Sequence, residues 1–162
     1  LRVGIGMDAH RFEAGRRLVL GGVDISSDRG LAGHSDADVV LHSLMDALLG
    51  ACGAGDIGQL FPDSDEKYRD ASSLDLLAIV RGIVGARGYE PVNIDIVVVC
   101  ENPRIAPYRD EMRLAVARAC DLETTSVAVK GTTTEGMGFT GRGEGIAAIS
   151  VVLLAESGQP SL

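Results

Sequence analysis

A chain of 162 residues, 46% of them apolar, is enough for one domain with a substantial core and too short for two of ordinary size. Its net charge of −8 excludes an extended nucleic-acid surface, which needs a basic stripe, although local cations can still hold a small anionic ligand. Cys52, Cys100 and Cys120 are widely spaced and form no CxxC pair, which excludes a disulfide framework and a thiolate metal site.

No uninterrupted apolar run reaches membrane-spanning length, and Leu1 leads into a strand-like segment without a charged leader. The expectation is a single domain over residues 1–162, cytoplasmic, or plastidic had a leader been removed. Residues 1–6 read as a buried strand whose carboxyl end runs out into Met7-Asp8-Ala9-His10. Strand side chains alternate, so Asp8 and His10 point the same way. Residues 11–30, with Leu18-Val19-Leu20 and then Gly21-Gly22, fit a small hairpin excursion.

Ser35, followed three residues later by Asp38, has capping-box spacing, and Ala37, Val40, Leu41, Leu44, Met45 and Leu48 then recur at helical intervals. This helix sets Asp38, His42 and Asp46 one turn apart on the flank of its apolar stripe. His34 and Ser35 fall at its amino end, where free N–H groups attract anions. Gly50, Gly53, Gly55 and Gly58 stop it, and residues 61–67 are a polar loop expected to be mobile.

A second helix runs from Ser72 or Ser73 to Arg87, and the β-branched residues 92–100 are long enough for a central strand. Helical spacing returns over 108–120, and residues 126–130 and 146–155 make two more strands. This order predicts an α+β, ferredoxin-like two-layer sandwich: a mainly four-stranded mixed sheet with helices on one face. Both faces of the 92–99 strand carry apolar residues, so the uncovered face calls for a subunit interface.

All three histidines lie between positions 10 and 42. Asp8 and His10 on a strand edge, joined by His42 from a helix lying across it, would give a zinc-type ion three ligands and leave a fourth position open. The plainer alternative is a pair of partly buried histidines held by Asp38 or Asp46. Asp46 suits either, because a ligating imidazole usually donates its second N–H to a carboxylate. Residues 130–135, KGTTTE, follow a strand; their hydroxyls and amides can cradle phosphate, with Glu135 for a hard divalent ion and Arg142 for a bidentate phosphate grip. Gly136, Gly138 and Gly141 match G-x-G-x-x-G, but a strand rather than a helix follows, which excludes a dinucleotide site. A wide hairpin loop is the ordinary reading of such glycines. Asp56-Ile57-Gly58 is either a sugar-hydroxyl contact or a turn, and the proline-constrained residues 100–107 have free backbone groups able to read a base edge.

Five separated segments together resemble one family: residues 6–12, GMDAHRF; 33–38, GHSDAD, continuing to His42; 55–58, GDIG; 61–63, FPD; and 132–135, TTTE, continuing through 139–145, FTGRGEG. They are similar, in order and across essentially the whole chain, to the 2-C-methyl-D-erythritol 2,4-cyclodiphosphate synthases. The resemblance implies a lyase of the non-mevalonate isoprenoid route, a homotrimer with active sites between neighbouring subunits. Its substrate would be 4-diphosphocytidyl-2-C-methyl-D-erythritol 2-phosphate, cyclised with release of CMP. It implies zinc on Asp8, His10 and His42, and magnesium or manganese on Glu135 and the substrate diphosphate. His34 and Thr133 would stabilise the transition state, assisted by Ser35 and Thr132, with Thr134 among the substrate-binding residues. Asp56, Ile57 and Gly58 would meet sugar hydroxyls, with Phe61, Asp63 and Asp65 in the loop over the erythritol. Cys100, Pro103, Arg104, Ile105 and Ala106, from the adjacent subunit, would hold the cytidine; Arg104 stands where the family usually has Lys, which keeps the charge and changes the donor geometry. Phe139, Arg142 and Glu144 would line a cavity on the trimer axis that takes isoprenoid diphosphates. No nucleic-acid or membrane partner is expected. The same residues also suit two rivals: a non-catalytic nucleotide or isoprenoid-diphosphate sensor, and a metal-dependent phosphohydrolase.

Overall fold

The first apolar run opens a strand of 13 residues, β1 (Arg2–Ala14), in a computed structural model that describes residues 1–62 and 64–158. The strand does not end at Met7. Arg2 to Arg11 pair antiparallel with β7 (Gly145–Glu156), with Asp8 opposite Ala148 and His10 opposite Ile146. Main-chain pairing that continues through polar residues leaves no hydropathy signal, so the ladder extends past the apolar stretch. The end of β1 pairs with β4 (Arg29–Leu31), a short edge strand beyond the expected four. On the other side of β7 lies β5 (Tyr89–Val99), which takes β6 (Val127–Thr132) in parallel. The result is a mixed five-stranded sheet in the order β4-β1-β7-β5-β6.

In chain order the helices are α1 (Val39–Cys52), α2 (Ile57–Leu60), α3 (Ser73–Ala86), α4 (Arg109–Cys120) and α5 (Gly138–Gly141). α1 packs on β1, β7 and β5, with α3 against its outer side and α4 over β6. Leu41, Leu44, Met45, Leu48 and Leu49 are fully buried because α1 lies between the sheet and α3. Two glycines set its depth. A Cβ at Gly6 would stand 2.0 Å from the Ser43 carbonyl oxygen, and one at Gly4 would stand 2.0 Å from that of Ala47. Only a bare backbone lets β1 and α1 approach this closely. Ser43 Oγ and Ser150 Oγ, 2.7 Å apart, satisfy each other within this contact.

The amino end of α1 differs from the capping box expected at Ser35. Asp38 is the N-cap, fully buried, and its carboxylate accepts from Val40 N and Leu41 N, both at 3.1 Å, and from Gly21 N at 2.9 Å and Gly22 N at 2.7 Å. Ser35 Oγ accepts only the amide of Ala37, at 3.1 Å, among backbone donors. A carboxylate serving four buried donors outcompetes a hydroxyl serving one. The Gly21 and Gly22 amides belong to the turn between β2 (Leu18–Leu20) and β3 (Val23–Ile25), where both glycines have positive φ, 60° and 76°. The excursion over residues 11–30 therefore clasps the start of α1. Burial pushes the Asp38 carboxyl up to about 6, against the opposing pull of its amide donors.

The glycine-rich segment after β6 is not a hairpin loop. β5 lies between β6 and β7, so residues 133–144 cross over β5 and include α5. On the face away from the helices, Val3, Ile5 and Met7 are 70%, 69% and 61% exposed, and Ile5 stands opposite Val151 on β7, itself 40% exposed. No helix among the described residues is long and apolar enough to cross a membrane.

Candidate active site

β1 and β5 both run antiparallel to β7 and therefore point the same way, and a row of paired residues, Asp8, Ala148, Val98 and Gly131, crosses four strands. Beyond that row lie the carboxyl ends of β5 and β6 and the second half of β1. Two cavities open there.

The first, about 230 Å³, is lined by Asp8, His10, His34, Ser35 and His42, and also by Ile57, Gly58 and Phe61. Asp8 and His10 alternate with the exposed residues of β1, on the same face as Gly4 and Gly6, and so point at α1. The close approach of α1 brings His42 onto them. Asp8 Oδ2 lies 2.9 Å from His10 Nε2 and 3.1 Å from His42 Nδ1, and the two ring nitrogens are 3.1 Å apart. Among the described residues this is the only group of three that could hold a metal ion. Three donor atoms at these spacings fit a tetrahedral ion, whose ligands about 2.0–2.1 Å from the metal stand roughly 3.3 Å from one another. Burial pushes the Asp8 carboxyl up, but hydrogen bonds and charge from His10 and His42 outweigh it and hold the group well below the usual carboxylate range. For His10, burial acts downward, and the Asp8 carboxylate overcomes it to raise the imidazole.

The bend carrying His34 is fixed from both sides. Arg16 donates to the carbonyl oxygens of Gly33, at 2.7 Å, and Ser35, at 2.6 Å, and the Asp70 amide donates to the His34 carbonyl at 2.8 Å. His34 and Ser35 thus lie before the helix, not in its first turn. His34 Nε2 is buried without a hydrogen-bond partner, a donor or acceptor in reserve beside the triad. Asp46 does not reach His42; its Oδ1 accepts the Ile57 amide at 2.9 Å and so anchors α2. Asp56 caps α2 through Gln59 N at 2.9 Å, the turn alternative of the sequence reading. Asp65 accepts the Lys67 amide at 3.2 Å in a 3-10 turn over Glu66–Tyr68, within and just beyond the polar loop expected over residues 61–67. Asp63 lies outside the described residues.

The second cavity, about 470 Å³, is formed where the parallel β5 and β6 end side by side. The 100–106 loop contributes Cys100, Pro103, Arg104, Ile105 and Ala106, β6 contributes Gly131 and Thr132, and Thr133 follows directly after the strand. No residue lines both cavities. Thr133 Oγ1 donates to Glu135 Oε1 at 3.0 Å, and both residues are exposed. Thr134 instead turns its hydroxyl toward Met137 O, at 2.5 Å, and Thr140 Oγ1, at 3.0 Å. Phe139 and Arg142 line neither cavity; Arg142 Nε donates to Glu144 Oε1 at 2.6 Å.

The YgbB family pattern matches residues 1–155. The chain belongs to the YgbB family. A 2-C-methyl-D-erythritol 2,4-cyclodiphosphate synthase from Rubrobacter xylanophilus is 58% identical over 94% of this chain and 94% of its own length. Among solved structures, the bifunctional IspDF of Campylobacter jejuni superposes with a TM-score of 0.92 at 44% identity, covering 96% of this chain, which spans 42% of that longer protein. IspF of Plasmodium falciparum, in a CDP complex, gives 0.84 at 31% identity, covering 96% of each chain.

Glu101 lies inside the 100–107 loop, and its sequence context assigns it no role. Its Oε1 accepts the amides of Thr134, at 3.3 Å, and Gly136, at 3.2 Å, and so ties the loop leaving β5 to the one leaving β6. Tyr68 and Leu76 in the first cavity and Arg109 in the second were also missed. The Glu101 contact brings together residues more than thirty positions apart, which no local pattern marks.

Proposed function

We propose that this enzyme converts 4-diphosphocytidyl-2-C-methyl-D-erythritol 2-phosphate to 2-C-methyl-D-erythritol 2,4-cyclodiphosphate and CMP, as a cytoplasmic homotrimer. The observation that carries the reading is the convergence of Asp8, His10 and His42 beside the unpartnered His34 Nε2. Zinc on the triad, and magnesium or manganese at Glu135, would supply positive charge that draws electron density from the substrate diphosphate. An oxygen of the 2-phosphate forms a bond to the β-phosphorus, the bond from that phosphorus to the α-phosphate oxygen breaks, and the electron pair leaves with CMP. Little covalent chemistry falls to the protein, so positioning and charge carry the rate. His34 and Thr133 meet the charge developing on the transferred phosphoryl oxygens, with Ser35 and Thr132 assisting. Ile57, Gly58 and Phe61 pack on the erythritol, Asp56 turns to its hydroxyls, and the 100–106 loop takes the cytidine, with Arg104 toward phosphate.

Two separate cavities on one chain support an active site completed by a neighbouring subunit, and the exposed apolar strip of Val3, Ile5 and Met7 supports burial of that face in a trimer. Phe139, Arg142 and Glu144, repeated around the axis, would frame a cavity for an isoprenoid diphosphate. The test is phosphorus NMR of the substrate with protein, zinc and magnesium in oxygen-labelled water. Cyclic diphosphate and CMP, both free of solvent oxygen, are expected. Labelled product phosphate would mean hydrolysis, and CMP binding without turnover would mean a sensor.

A further inference from the structure

His42 presents Nδ1 to Asp8 and His10, so its other nitrogen decides whether that lone pair is available to a metal. His42 Nε2 lies 3.1 Å from Ser35 Oγ and 3.2 Å from Ser73 Oγ. Ser73 is fully buried at the start of α3, and its hydroxyl donates to Asp36 Oδ1, while its amide donates to Asp36 Oδ2 at 3.0 Å. A serine has one proton to give. With that proton on Asp36, Ser73 can offer His42 only a lone pair, and Nε2 must carry the hydrogen. Ser35 sets no such condition, because it accepts the Ala37 amide and keeps its own proton free to turn either way.

We infer that Asp36 and Ser73 are positioning residues: the Asp36–Ser73–His42 chain holds His42 in the Nε2–H tautomer and so presents Nδ1 as a metal ligand. This rests on the reading of Asp8, His10 and His42 as a ligand set. The carboxylate acts through a hydroxyl from the helix beyond, where Asp46 on α1 itself was the expected partner. The main chain of Ala32 backs His10 in the same manner.

The test measures zinc affinity by chelator competition for the full chain and for Asp36→Asn, Ser73→Ala and His42→Ala. Asn has nearly the shape of Asp, but its NH2 group faces Ser73 Oγ when its oxygen keeps the Ser73 amide, turning the serine proton toward His42. Both relay variants should bind zinc about 10- to 100-fold more weakly, with unchanged helix content, and His42→Ala should lose the site. Imidazole nitrogen NMR of the zinc-free unsubstituted protein, where no metal dictates the tautomer, gives a readout that needs no variant: the His42 proton should be on Nε2. Affinities equal to that of the unsubstituted protein in both relay variants, or a His42 proton on Nδ1, would overturn the relay. Absence of zinc binding by the unsubstituted protein would overturn the ligand set itself and the relay with it.

Discussion

Gly6 of β1 lies so close beneath Ser43 of α1 that a Cβ there would stand 2.0 Å from the Ser43 carbonyl oxygen and 2.6 Å from the Ala47 amide nitrogen. His42 immediately precedes Ser43, so the same contact fixes the height of its imidazole over Asp8 and His10. Gly6→Ala must push α1 away from β1 through its own backbone, which cannot yield as a flexible side chain does. A loss of about 2–3 kcal/mol in urea-unfolding stability is expected, with zinc affinity falling alongside. Unchanged stability would show that α1 is not held at this depth.

His42→Ala removes one corner of the triad while leaving the sheet and its exposed face intact. Zinc content should fall to background and turnover by about 100-fold or more. Size-exclusion chromatography with light scattering should give the mass of the unsubstituted assembly. Full activity with normal metal content would remove His42 from the ligand set.

The Asp8–His10 pair makes the metal-free fold depend on pH. Asp8 titrates below its ordinary 3.8, so its stabilisation is present above that value and lost as pH falls through the depressed one. His10 titrates above its ordinary 6.5, so its stabilisation is complete below 6.5 and lost as pH rises through the raised value. Both act together between 3.8 and 6.5. The thermal midpoint of the metal-free protein minus that of His10→Ala should be largest in this window and shrink above it. Zinc displaces the same proton, so its affinity should weaken as pH drops into the window. A midpoint difference independent of pH would contradict the pairing.

Glu101 holds the Thr134 and Gly136 amides with one oxygen, so an acceptor is what the position requires. Glu101→Gln keeps that oxygen and should retain kcat within about threefold, whereas Glu101→Ala frees both amides and should lower kcat about tenfold. Steady-state kinetics on the two variants separates acceptor geometry from charge. Equal losses would assign the effect to charge.

Apolar periodicity marks α3, α4, β5 and β7 in the sequence because each buries one broad face, and hydropathy records burial. It is silent on β4, where Arg29, Gly30 and Leu31 are held by main-chain pairing, and on the second half of β1. The start of α1 was read at Ser35 because capping-box spacing is local, whereas the amides that favour Asp38 arrive from Gly21 and Gly22. Asp8, His10 and His42 were legible as a group because strand alternation and a crossing helix suffice to bring them together. Asp36, Ser73 and Glu101 were not, since each acts through a contact made only by the folded chain. The glycines after Thr134 misled because a hairpin and a crossover over β5 have the same composition.

In the proposed trimer, the triad of one subunit and the 100–106 loop and Thr133–Glu135 segment of the next make one active site. Unfolding, mixing and refolding His42→Ala with Glu135→Ala subunits tests it directly. Shared sites predict that two inactive parents yield roughly a quarter of the unsubstituted activity, since randomly mixed trimers contain one intact pairing. A mixture as inactive as its parents, with mixed trimers confirmed by mass, would contradict the claim.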